Sequence, residues 1–159
     1  MEGFTLILAL VDFIPVLSFG IGIVILAGVF HSPLFLAGAI GSLAAGVCKV
    51  LWKLILGTSK RDVKCLNKIF LPLQIGGWLV MLTAVIINLG RIDFRVVFSA
   101  ISQMPQLVFY ILWICAMGTM IWYKKRKFER YSSKANWTAE LINSVGQIAF
   151  LAAIAFSAL

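Results

Sequence analysis

Residues 4–30 read FTLILALVDFIPVLSFGIGIVILAGVF, an apolar run interrupted by a single charge, Asp12. A helix rises about 1.5 Å per residue and the hydrocarbon layer is about 30 Å thick, so roughly 20 apolar residues suffice to cross it. Lipid offers backbone amides no partner, and the run is too long and unbroken for a barrel strand, so a membrane-spanning helix is the expected form. Four further runs of the same kind follow at 34–56, 70–89, 106–123 and 138–159. The predicted fold is therefore all-α: one polytopic transmembrane domain over 1–159, with five membrane helices.

Composition leads to the same class independently. The 159 residues are 62% hydrophobic and 13% charged, with mean hydropathy +1.02, whereas soluble domains sit near 45–50% apolar and about 25% charged. A chain this short cannot bury such an excess in one core, so the surplus must face lipid. Soluble, disordered, collagen-like and disulfide-scaffold classes are excluded on these grounds.

Basic residues orient the spans. Lys49, Lys53, Lys60, Arg61, Lys64 and Lys68 cluster at the end of span two and after it, and Lys124, Lys125, Arg126, Lys127, Arg130 and Lys134 follow span four. Only Arg91 and Arg95 lie on the other side. Basic connections are retained in the cytoplasm, which predicts a cytoplasmic N-terminus and an external C-terminus. Span one lacks a basic n-region and an A-x-A cleavage signal, so it is expected to be retained as a helix. The sequon Asn136-Trp137-Thr138 then falls on the cytoplasmic side, out of reach of glycosylation. With no organellar targeting signal, the expected location is a bacterial plasma membrane.

Between spans three and four, Phe94, Val97, Phe98 and Ile101 recur at helical spacing opposite Arg91, Arg95, Ser99 and Ser102. That pattern predicts a short interfacial helix lying in the headgroups. The basic loops abut spans and carry no aromatic interleaving. Their expected partners are anionic lipid headgroups, and no nucleic acid is implied.

Ionisable groups inside the membrane each require a partner, a wet cavity or an escape to the interface. Counting residues along antiparallel helices places Asp12 and Lys49 at similar depth and predicts that they pair. Lys53, one turn nearer the cytoplasm, is expected to snorkel to the headgroups. Pro15 removes the amide that would bond the Val11 carbonyl, so a kink is expected beside Asp12. In span five, Glu140, Asn143 and Gln147 follow i, i+3, i+7 spacing and form one polar stripe, with Gln74 of span three at comparable depth. These residues define the candidate ion- or ligand-binding set: Asp12, Lys49, Gln74, Glu140, Asn143 and Gln147. They imply a polar vestibule opening to the cytoplasm and closed outward by apolar packing.

Small residues indicate where helices approach closely. Ala37, Gly41 and Ala45 recur every four residues, as do Gly38, Ser42 and Gly46, which predicts a central span two. His31 is the single histidine, and Cys48, Cys65 and Cys115 are dispersed, so no metal, cofactor or redox site is read. No nucleophile and base can be paired, and an enzyme is the less favoured reading. The leading expectation is a transport or ligand-binding protein for a small ion or polar solute. The alternative is a non-catalytic membrane subunit or scaffold that docks a partner membrane protein, or a second copy, through its small-residue faces. No family is assigned from the sequence.

Overall fold

Turn residues punctuate the apolar runs, and each run becomes a helix. The computed structural model describes residues 6–125 and 133–158. Its helices are α1 (Leu6–Val11), α2 (Phe13–Phe30), α3 (Pro33–Ser59), α4 (Lys64–Ile87), α5 (Phe94–Ser102), α6 (Gln106–Lys125) and α7 (Ser133–Ala158), with a 3₁₀ turn at Leu89–Arg91. Among the described residues there is no strand. Five helices are long and apolar enough to cross a membrane: Leu6–Phe30, which joins α1 to α2, Pro33–Ser59, Lys64–Ile87, Gln106–Tyr123 and Ser133–Ser157. The expected span positions 4, 5 and 159, and the basic residues Arg126, Lys127 and Arg130, lie outside the described residues, as do the side chains of Lys124 and Lys125.

Helix ends differ from the apolar runs where charged residues take over. α3 continues to Ser59, α4 begins at Lys64 and α7 begins at Ser133. Continuing the helix satisfies backbone groups that a frayed end would leave open, and long basic side chains reach water from a helical turn. Between α2 and α3, His31 adopts φ 46° and donates its N–H to the Ala27 carbonyl, which ends α2. Ser32 then caps α3, its hydroxyl accepting from Phe35 N at 3.4 Å, with Pro33 at the first helical position. The helix expected between spans three and four is present as α5, with Asp93 accepting from Arg95 N at 2.9 Å. Phe94, Val97, Phe98 and Ile101 are all exposed.

Packing order is an arc. α4 lies on α3, α3 lies on α1 and α2, these lie on α7, and α7 lies on α6. Among the described residues no Cα of α4 comes within 8 Å of one in α6, so the arc does not close into a ring. On its outer side Ile7, Leu10, Ile14, Leu17, Ile21 and Val24 are exposed at three- and four-residue spacing, a continuous stripe for acyl chains. Ile23, Phe35, Ala39, Met81, Phe150 and Ile154 form the main core cluster, toward the His31 end. Leu8 and Leu56 form a second one toward the basic end, with Trp52 and Trp137 against it.

The small-residue faces of α3 have a specific partner. A Cβ on Gly77 would lie 2.7 Å from the Gly38 carbonyl oxygen, and one on Gly38 would lie 2.7 Å from that of Gly77. Backbone thus meets backbone where α3 and α4 cross, with Ser42 Oγ and Met81 Cγ crowding the same two positions. At Gly41 an added Cβ would meet only Gly77 Cα at 3.8 Å, an ordinary contact. Gly77→Ala is therefore expected to destabilise the bundle by about 1–3 kcal/mol through overpacking, whereas Gly41→Ala changes stability by under about 0.5 kcal/mol. Unfolding midpoints of the two variants in the same detergent check the contrast, and equal midpoints would contradict the close crossing.

Candidate functional site

Span one breaks where the sequence places its charge. Pro15 has no N–H to bond the Val11 carbonyl, and the helix is interrupted by a turn at Asp12 between α1 and α2. Asp12 N still donates to the Leu8 carbonyl at 3.1 Å, and with φ −66° and ψ −14° its backbone stays in the right-handed helical region, so α1 and α2 continue as one span. The carboxylate is directed inward and is 3% exposed.

Its partner is Lys53. The Lys53 ammonium lies 2.9 Å from Asp12 Oδ2 and also donates to Glu140 Oε1. Lys53 and Glu140 are 5% and 8% exposed. One ammonium from α3 thus ties α1/α2 to α7 through two buried carboxylates. This corrects two expectations, the pairing of Asp12 with Lys49 and the escape of Lys53 to the headgroups. The reason is side-chain direction: a helical Cβ leans toward its own N-terminus. Lys53 therefore reaches back into the bundle while Asp12, on an antiparallel helix, leans toward the basic end. Counting Cα positions misplaces the meeting point by one turn.

Lys49 makes a different contact. Its ammonium sits 4.7 Å from the centroid of the Phe70 ring on α4, a cation–π arrangement. Gln74, one turn further along α4, bridges two neighbours: with its amide in the satisfying orientation it donates to the Ser42 carbonyl at 3.3 Å and accepts from Trp78 Nε1 at 2.5 Å. Gln147 on α7 donates weakly to Met117 Sδ at 3.9 Å, and its Oε1 has no hydrogen-bond partner. Glu140 Oε2 and Ser42 Oγ are likewise buried without one.

All six residues singled out from the sequence, Asp12, Lys49, Gln74, Glu140, Asn143 and Gln147, line one cavity of about 780 Å³. It lies on the concave side of the arc, with walls contributed by all five long helices. At the basic end it reaches Asp62, Asn67 and Asn136, and at its deep end Phe19 and Trp78. Phe19 stacks on Trp78 and on Phe150, at centroid separations of 6.1 and 6.0 Å, and this aromatic layer stands between the cavity and the main apolar core.

Two charged residues of the wall, Lys53 and Asp62, lie outside the binding set read from the sequence. Lys53 was visible as an intramembrane charge. Asp62, in the α3–α4 connection, accepts from Trp52 Nε1 at 2.9 Å and brings that connection to the mouth of the cavity. Its signal was an acidic residue isolated among Lys60, Arg61 and Lys64. Among the described residues no group of three or more His, Cys, Asp or Glu converges as a metal would require.

The arrangement can hold charge, exchange hydrogen bonds with a ligand and stack against it. It defines a small α-helical integral membrane protein with a polar site built inside the bundle. No family model matches the chain, and comparison with curated proteins and with solved structures finds no significant match.

Proposed function

We propose that the protein is a small membrane transport or ligand-binding protein whose cavity is a vestibule for a small ion or polar solute. One observation carries this reading: the Asp12–Lys53–Glu140 cluster lines a 780 Å³ cavity together with Asn143 and Gln147. A polar cluster that served only to hold helices together would be packed dry and fully bonded, because unsatisfied groups in low dielectric are costly. Here buried acceptors are left over beside a space large enough for a small ligand. The same proposal sets the basic connections in the cytoplasm, lays α5 along the opposite surface, and assigns the protein to a bacterial plasma membrane.

Thiol accessibility tests the vestibule and its orientation together. In a background with Cys48, Cys65 and Cys115 replaced by Ala, Asn143→Cys is expected to react with the membrane-impermeant, permanently charged (2-trimethylammonium)ethyl methanethiosulfonate added on the side of the basic loops. Lipid-facing Ile148→Cys, whose thiol stays neutral in hydrocarbon, should react about tenfold more slowly or less. Protection of Asn143→Cys from that side would remove the vestibule. A solute whose flux across proteoliposomes is carried by the protein should lose that flux in Asp12→Asn.

A further inference from the structure

Two carboxyl groups and one ammonium do not balance. Asp12 from span one, Lys53 from α3 and Glu140 from α7 are all buried. Lys53 Nζ lies 2.9 Å from Asp12 Oδ2 and donates to Glu140 Oε1, and the two carboxyl groups also contact each other. With both ionised, the cluster would hold one uncompensated negative charge in a low dielectric. The contact itself would then set acceptor against acceptor, because an ionised carboxylate has lone pairs and no hydrogen to share. Carboxyl groups that meet in a buried site do not both stay ionised.

The rest of the wall does not supply the missing charge. Among the described residues α3 adds Lys49, the α3–α4 connection adds Asp62, α6 adds Tyr123, and α4 adds no ionisable group. Lys49 and Asp62 are opposite in sign, so the balance of the wall is the balance of the cluster. A metal ion or an organic cation has no place to fill it. Asp12 Oδ2 and Glu140 Oε2 lack hydrogen-bond partners but are closed to a water-sized probe, and the Lys53 ammonium, already against both carboxyl groups, repels a second cation. A proton needs no such room. Bound to one carboxyl group and donated to the other, it supplies the absent donor and makes the cluster neutral.

We infer that Asp12 and Glu140 form a proton-binding site, one exchangeable proton being shared between their carboxyl groups beside Lys53. This rests on the vestibule reading for the route to water, and it names the proton as an ion that the vestibule serves. On release the carboxyl O–H bond breaks, its electron pair stays on the oxygen and the proton passes to water. The cluster is then left with two carboxylates against one ammonium, and uptake reverses the step. Both residues line the cavity. The terminal torsion of a carboxyl side chain is broad and roughly two-fold, so rotation brings a buried oxygen round to the cavity side.

Infrared spectroscopy of the full chain tests the site, in bilayers of ether-linked phosphatidylcholine whose lipids carry no ester carbonyl to overlap the protonated-carboxyl band. At neutral pH that band is expected at the intensity of about one carboxyl group per chain, and it should shift in D2O. It should be lost in Asp12→Asn and equally in Glu140→Gln, since either substitution leaves a single carboxylate matched by Lys53. Asp62→Asn should retain it. Because both of the first two variants keep a one-to-one ion pair, each guards against misfolding of the other, and a cooperative unfolding transition shows that the band is lost without loss of the fold. Absence of the band from the unsubstituted protein, or its survival in either folded variant, would overturn the shared proton. A band that does not shift in D2O while Asn143→Cys reacts from the basic side would overturn exchange and leave the vestibule standing. An unshifted band together with protection of Asn143→Cys would remove the vestibule and the route with it.

Discussion

Lys53→Met is expected to destabilise the protein by about 3–5 kcal/mol, because it leaves the carboxylates of Asp12 and Glu140 buried together with no bonded cation. The methionine fills a similar volume, so the loss isolates charge from packing. For a chain of this length that corresponds to a fall in unfolding midpoint of roughly 6–20 °C. Lys49→Met provides the contrast. Its ammonium contacts the Phe70 ring, and losing that contact costs about 1–2 kcal/mol. Scanning fluorimetry of the two purified variants in the same detergent distinguishes them. A Lys53→Met midpoint within 2 °C or so of Lys49→Met would show that Lys53 does not hold the three helices together.

The same contrast shows how far the sequence could be read. Five spans were legible because each apolar run exceeds the hydrocarbon thickness and nothing else in the chain competes for that role. The break at Asp12 was legible because proline removes a specific hydrogen bond at a specific carbonyl. Clustering of Glu140, Asn143 and Gln147 toward the cavity followed from spacing and from the absence of partners in lipid. Which lysine meets Asp12 was not legible from residue counts, since the answer turns on the lean of side chains on two antiparallel helices. Gly38 and Ser42 announced a close approach, but nothing in α3 says that Gly77 of α4 is the partner rather than the glycines of α2. The order of helices around the arc, and hence the gap between α4 and α6, is a tertiary property. It depends on which faces of five apolar rods are turned inward, and rods apolar on nearly every side carry little directional signal.

Neutralising the whole cluster separates its structural role from its role at the cavity. In the triple variant Asp12→Asn, Lys53→Met, Glu140→Gln no charge is left buried without a counterion, and the amides can bond to each other or to water in the cavity. Replacement of a complete buried ion cluster by neutral groups is often neutral or stabilising, whereas removal of one member is not. The triple variant is therefore expected to recover most of the roughly 3–5 kcal/mol lost in Lys53→Met, as read by its unfolding midpoint. The cavity keeps its size, and Lys49, Gln74, Asn143 and Gln147 stay on its wall. Any ligand held by the carboxylates should nevertheless bind about tenfold or more weakly, since charge-assisted hydrogen bonds contribute about 1.5–3 kcal/mol each. Recovery of the fold with loss of binding would assign the carboxylates to the ligand and the ammonium to holding them in place. Recovery of both would reduce the cluster to a strap between helices, and the vestibule would then depend on the amides alone.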